Sequence, residues 1–170
     1  LSLDPTVPPR PARVGESPSG LVHATGLENP GLDPFLALEL PWLVQQGARV
    51  VVSVVGSSLG EYAAIARRLG NAPGVAAVEV NLAPPEEAPQ PGAQGPFHAA
   101  NIVSALRRDL HGGIPLLAKL RPESGRVAGA ARAVAESGAD AVVVGNAVPA
   151  LLAGARPGGL GGPAVRPVTQ

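Results

Sequence analysis

At 170 residues and 16.9 kDa the chain has room for one compact domain and little more. Lys plus Arg 13 against Asp plus Glu 13 leaves no net charge, which argues against a partner recognised through a field of phosphates, whether nucleic acid or anionic membrane. With Cys 0 there is no disulfide, thiolate metal site or cysteine nucleophile, and His 3 argues against a multi-histidine metal site.

Met 0 together with Leu1 at the start predicts a piece of a longer protein. No window approaches the ~18 to 20 continuous apolar residues of a membrane span, and no basic stretch leads into an apolar one at the start. The expectation is a soluble, cytoplasmic chain. Gly 22 and Pro 20 make up about a quarter of the residues, but most prolines crowd into 1–18, 82–96 and 149–167, which leaves periodic apolar segments between them for a core.

In chain order, valine-rich runs at 21–24, 50–55, 75–80, 114–120 and 141–144 are candidate strands, their near-continuous apolar character suiting parallel strands buried on both faces. Stretches with helical spacing lie between them at 33–46, 58–69, 97–110 and 123–137; the last places Val127, Ala130, Ala131 and Val134 on one face. Asp33-Pro34 and Ser58 supply starts, and Gly47, Gly70 and Gly138 supply left-handed stops. The β-α-β-α-β-α-β-α-β pattern argues for a parallel α/β sheet, doubly wound or part of a (β/α)8 barrel. A full barrel needs about 250 residues, so five strands make roughly five-eighths of one.

In such a fold the ligand site lies at the carboxyl ends of the strands. The polar residues there are His23, Ser53, Asn81, Lys119 and Asn146. Lys119 is the only lysine, and burying an ammonium near a strand end calls for a compensating charge or ligand dipole. Glu79 shares parity with Asn81 and is the candidate partner for Lys119. Asn81 and Asn146 offer donors and acceptors together, which suits a ring with alternating carbonyl and imino groups; each is equally a loop-initiating asparagine. His98 and His111 read as surface residues, and Gly158-Gly159-Leu160-Gly161-Gly162 as either a close-approach segment or a linker.

Six segments in register resemble dihydroorotate dehydrogenase, nearest its class 1 branch. They are His23-Ala-Thr-Gly-Leu-Glu-Asn-Pro-Gly31, Val50-Val-Val-Ser-Val-Val-Gly-Ser-Ser-Leu-Gly-Glu-Tyr62 with its leading valines, Val78-Glu-Val-Asn-Leu-Ala-Pro-Pro85, Ala118-Lys-Leu120, Gly138-Ala-Asp-Ala-Val-Val-Val-Gly-Asn146 and Gly158-Gly-Leu-Gly-Gly-Pro-Ala-Val-Arg-Pro167. The resemblance implies a partial (β/α)8 TIM barrel spanning 1–170 as a single incomplete domain, with FMN at the strand carboxyl ends. It implies oxidation of dihydroorotate to orotate in pyrimidine synthesis, with hydride passing to the flavin and a base removing a proton.

Position by position, Lys119 matches the lysine beside the flavin ring, Gly161 and Gly162 a glycine loop near the flavin, and Asn81 and Asn146 the asparagines on the substrate ring and flavin edge. His23 replaces another substrate-binding asparagine. The family's base, a cysteine or serine, falls at Pro84, which cannot accept a proton, and Glu86 stands where the family has an asparagine. The candidate replacement for the base is Glu86, or else His23. The family's amino-terminal flavin loop, and the later loops that grip the FMN phosphate, have no match here. The implied partner is a small dihydropyrimidine, with a homodimer left open; the alternative is a non-catalytic relative that binds flavin or pyrimidine without proton abstraction.

Overall fold

A computed structural model of the protein describes residues 1–7, 13–83, 96–111, 113–121, 126–152 and 156–166. It opens on a hairpin of β1 (Arg13–Ser17) and β2 (Gly20–Ala24), closed by the Ser17 hydroxyl donating to the Gly20 carbonyl at 2.9 Å. A helical run follows: α1 (Leu32–Pro34), a π-helical turn (Phe35–Glu39) and α2 (Leu40–Gln45). Then strands and helices alternate as β3 (Val50–Val54), α3 (Leu59–Gly70), β4 (Val75–Asn81), α4 (Pro96–Asp109), β5 (Leu116–Leu120), α5 (Val127–Glu136) and β6 (Ala141–Val144). A second hairpin, β7 (Val148–Leu152) and β8 (Arg156–Gly161), completes the elements that matter for the site.

Strands β3-β4-β5-β6 form one sheet in that order, every pair parallel, so the expected alternation of parallel strands and helices is present. The two faces of the sheet differ. Val52, Val54, Val78, Val80, Leu116 and Ala118 are buried against Ile65, Leu69, Ile102, Val103, Leu106 and Val134 of the helices. The other face carries Val51, Ser53, Glu79, Leu117 and Lys119, and Val51 is 53% exposed. Burial of these strands on both faces is thus corrected. Only one face meets the described helices, so accessibility alternates along β3 and β5 although the residues are nearly all apolar.

The strand at 21–24 exists but does not belong to that sheet. It lies antiparallel between β1 and β8 in a second sheet of order β1-β2-β8-β7. The short Pro18-Ser19 connection makes the preceding segment its nearest partner, a local pairing that a fold-wide β-α-β reading overlooks. Gly158 to Gly161 of that run are likewise strand β8 rather than a linker, and Gly162 follows the strand at φ 123°. A Cβ on Gly158 would lie 2.7 Å from the His23 carbonyl oxygen, and one on Gly159 would lie 2.5 Å from the Ala147 Cβ, so glycine lets β8 sit this close.

Helix boundaries follow the expected chemistry in part. The Ser58 hydroxyl accepts from the Glu61 amide at 3.2 Å, and Gly47 and Gly138 take φ of 74° and 103°. Asp33 does not cap. Gly31, at φ 85°, occupies the cap position, and the Asp33 carboxylate pairs with Arg68 instead. Gly70 adopts no left-handed conformation either; it is the last residue of α3, where a Cβ would lie 3.1 Å from the His111 ring.

The two-faced sheet makes a sharp stability test. Leu116 is fully buried, so Leu116→Ala should cost about 2–5 kcal/mol. Val51→Ala, on the open face, should stay within about 0.5 kcal/mol. Urea unfolding of both variants measures the contrast, and equal losses would contradict the one-sided core.

Candidate functional site

The register of the parallel sheet decides which polar groups meet. Asn81, the last residue of β4, lies beside Lys119 of β5, which lies beside Val143 of β6. Ser53 of β3 lies beside Glu79 of β4, two residues back on the same face. The Ser53 hydroxyl donates to Glu79 Oε1 at 2.7 Å, and Lys119 Nζ stands 3.9 Å from the same oxygen. The expected Glu79–Lys119 pair is therefore formed, with side chains 15% and 29% exposed. Desolvation strengthens such a pair while water still reaches the lysine.

Beyond the strand ends lies a cavity of about 230 Å³. Its walls come from three directions. Asn81 and Ala83 follow the course of β4, Arg121 directly follows β5, and Asn146 follows β6. The turn after β2, from Thr25 to Leu27, forms a second wall with His23, while Pro149, Pro157, Gly158 and Gly159 of β7 and β8 form the third. The antiparallel sheet thus roofs the carboxyl ends of the parallel strands, where α/β folds place ligands.

Both asparagines are engaged in shaping this wall. Asn81 Oδ1 accepts from the Ala83 amide at 3.1 Å, a local turn typical of asparagine. Asn146 donates from Nδ2 to the Ala83 carbonyl at 2.6 Å and accepts from the Ala147 amide at 2.8 Å. Leu82 is held from the other side, its amide donating to the Lys119 carbonyl at 2.9 Å. Three strand ends are tied together through residues 81–83. Across the cavity, Asn29 braces the turn after β2, accepting from the Gly31 amide at 3.0 Å and donating to the Leu27 carbonyl at 2.7 Å.

Of the residues singled out from sequence, His23, Asn81 and Asn146 line this one cavity. His23 Nδ1 stands 3.5 Å from the Thr25 hydroxyl. Lys119 sits on the adjoining sheet face, level with Asn81, and is not part of the lining. Gly161 and Gly162 lie at the far end of β8 beside Leu21 and Gly20, whereas the glycines that line the cavity are Gly158 and Gly159. Pro84 and Glu86 lie outside the described residues. Arg121 was not singled out from sequence, although its position two residues beyond Lys119, on the same parity, was the available signal. Among the described residues no cluster of three or more His, Asp or Glu side chains could hold a metal ion, and no helix is long and apolar enough to cross a membrane.

Comparison with known proteins bears on this arrangement. A family model described as dihydroorotate dehydrogenase matches residues 7–170. A protein of Anoxybacillus flavithermus named dihydroorotate dehydrogenase B (NAD(+)), catalytic subunit, is 36% identical over 169 residues, covering 92% of this chain and 53% of the relative. One of the same name from Desulforudis audaxviator is 37% identical over 179 residues, covering 99% of this chain and 58% of the relative. The chain spans about half the length of the curated relatives it matches. The crystal structure of a ligand-free DHODH from Eimeria tenella superposes with a TM-score of 0.67 at 17% identity, over 99% of this chain and 57% of that one, which carries the shared fold. With a family match over nearly its whole length and a barrel-derived fold to go with it, the chain belongs to the dihydroorotate dehydrogenase family.

Proposed function

We propose that this chain supplies the substrate-ring side of a flavin-dependent site that oxidises dihydroorotate to orotate in pyrimidine synthesis. It does so as a single incomplete barrel domain, 1–170, of a larger soluble, cytoplasmic enzyme. The observation that carries this reading is the convergence of His23, Asn81 and Asn146 on one cavity at the strand carboxyl ends. At about 230 Å³ the cavity falls below the ~300–1,000 Å³ of pockets for drug-sized ligands and suits one pyrimidine ring. The relatives are named catalytic subunits, which favours an enzyme over a non-catalytic binder. A homodimer is compatible with this assignment.

Lys119, level with Asn81, and the open backbone at Gly161 support a place for the ring portion of FMN beside the cavity, whose lining includes neither. Gly161 has extended backbone, and a Cβ added there would meet nothing within 4 Å, so the chain's own packing gives no reason for glycine. That leaves space for a flat ring to approach the backbone. Lys119 and Gly161 with Gly162 are the residues assigned to hold it; when bound, FMN supplies the hydride acceptor. The protein's own groups do the rest. Asn81 and Asn146 fix the wall against which the substrate ring lies, and His23 presents a ring nitrogen across from them. Glu86 is assigned the proton, since Pro84 at the family position has no group to accept one.

Two experiments on the full-length protein test these assignments. Glu86→Gln should lower dihydroorotate oxidation by about 10²- to 10⁴-fold while orotate still binds. An unchanged rate would remove Glu86 and leave His23 as the candidate base among the described lining residues. Gly161→Ala should reduce flavin retention, read from the absorbance of the purified protein, without lowering the melting temperature. Gly158→Ala should instead destabilise the fold, because its methyl meets the His23 carbonyl.

A further inference from the structure

Asn29 stands behind the cavity wall and is not one of its lining residues, yet both of its amide hydrogens and both lone pairs of its oxygen are engaged. On one side Nδ2 donates to the Leu27 carbonyl at 2.7 Å and Oδ1 accepts from the Gly31 amide at 3.0 Å, which holds the turn after β2. On the other side Nδ2 donates to the Ser2 hydroxyl at 2.9 Å and Oδ1 accepts from the Ser2 amide at 3.1 Å. A turn-forming asparagine needs only the local pair. The second pair reaches a segment 27 residues away in the chain.

That segment is fastened at both ends. The Ser2 hydroxyl donates to the Asp4 carbonyl at 2.8 Å and lies 2.8 Å from the Thr6 hydroxyl. Thr6 and Asn29 exchange backbone hydrogen bonds of 3.0 Å, and the Leu3 carbonyl accepts from the Leu32 amide at 3.1 Å. Toward the parallel sheet, the Leu1 carbonyl accepts from the amide of Val55, just past β3, at 2.9 Å, and Leu3 packs against the core. Residues 1–7 are therefore a strap between the carboxyl end of β3 and the cavity turn, and Asn29 is where strap and turn meet.

We propose that Asn29 is a positioning residue for the ring ligand: by tying the Leu27 carbonyl to Ser2 it sets the wall formed by Thr25, Gly26 and Leu27 against the parallel sheet, so that ligand affinity depends on a side chain outside the cavity. The proposal rests on the function given above and goes beyond it by naming what fixes the spacing of the two walls. A rigid ring cannot follow a wall that shifts, and a misplacement of about 1 Å can cost on the order of 10²-fold.

The test is orotate binding and steady-state dihydroorotate oxidation by the full-length protein, well below its melting temperature, where a loss of stability alone leaves the affinity of the folded molecules unchanged. Expected for N29A is orotate binding weaker by about 10-fold and a KM raised by a similar factor, with kcat falling by less than about 3-fold and flavin absorbance retained. N29D keeps an acceptor for the Gly31 and Ser2 amides but has no donor for Leu27, and should bind no better than N29A. S2A should weaken orotate by about 3- to 10-fold, and S2T, which keeps the hydroxyl, should stay within about 2-fold of wild type. The double variant S2A/N29A should bind as N29A does, because both residues act through one contact. Orotate affinity within about 2-fold of wild type in N29A, whatever its melting temperature, would overturn the proposal and show that Asn29 serves only the fold. So would N29D binding like wild type, S2T binding no better than S2A, losses that add in the double variant, or a fall in kcat with KM unchanged. Should N29A fail to fold, S2A decides, and unchanged affinity there overturns the proposal. These outcomes leave the proposed function standing, whereas a full-length wild-type protein that binds no orotate would overturn both.

Discussion

The pairing of β4 with β5 sets Glu79 against Leu117 and Asn81 against Lys119, and the polar groups of the sheet take their places from that register. Side chains alternate faces with a period of two, so a one-residue slip of β4 would carry Glu79 and Asn81 into the helix-packed layer and bring Val78 and Val80 out, and the same slip of β5 would exchange Lys119 for Ala118. Such a slip would bury charge in a layer that now consists of fully apolar contacts, at several kcal/mol per ion. The core and the site are therefore one constraint seen from two sides. Helices α3, α4 and α5 seal one face of the sheet, and that sealing fixes which residues the other face presents.

The same register reaches into the cavity. Because Leu82 donates to the Lys119 carbonyl and Asn146 to the Ala83 carbonyl, the segment leaving β4 is held by both β5 and the residues after β6. The roof is fastened independently, through β8 lying on β2 with glycines where side chains would collide. Walls fastened separately in this way each draw their position from backbone hydrogen bonds of the fold itself.

Much of this was legible in the residue pattern, and the gaps have physical causes. Valine runs separated by helical spacing identified the four parallel strands and the helices between them, because period and length both carry that signal. The parity of Glu79, Asn81 and Lys119 placed them on one face correctly. The antiparallel sheet was missed because β1 and β8 are rich in glycine and polar residues, and their pairing depends on a tight turn and close backbone approach, neither of which hydrophobic periodicity reports. The apparent two-faced burial of Val50–Val54 misled for a related reason: apolar residues permit burial on both faces, but only neighbouring elements can provide it. Arg121 was passed over because a single arginine among many has no pattern of its own.

The open face of the parallel sheet has a charge arrangement suited to being covered. An isolated ammonium beneath an apolar element or a flat ring would lose its hydration without return. Lys119 is not isolated: Glu79 stands 3.9 Å away, and Glu79 itself accepts a hydrogen bond from Ser53 at 2.7 Å. The three residues come from three adjacent strands, so the array exists only when β3, β4 and β5 are in register, and it places a compensated cation level with Asn81 at the strand ends. Removing Glu79 alone would leave the lysine with the full desolvation cost and no partner, whereas removing the pair together would take charge and countercharge at once. The asymmetry makes Glu79 the counter-charge that accompanies the chain's one lysine on this half-buried face, and it ties the electrostatics of the open face to the same strand register that builds the core.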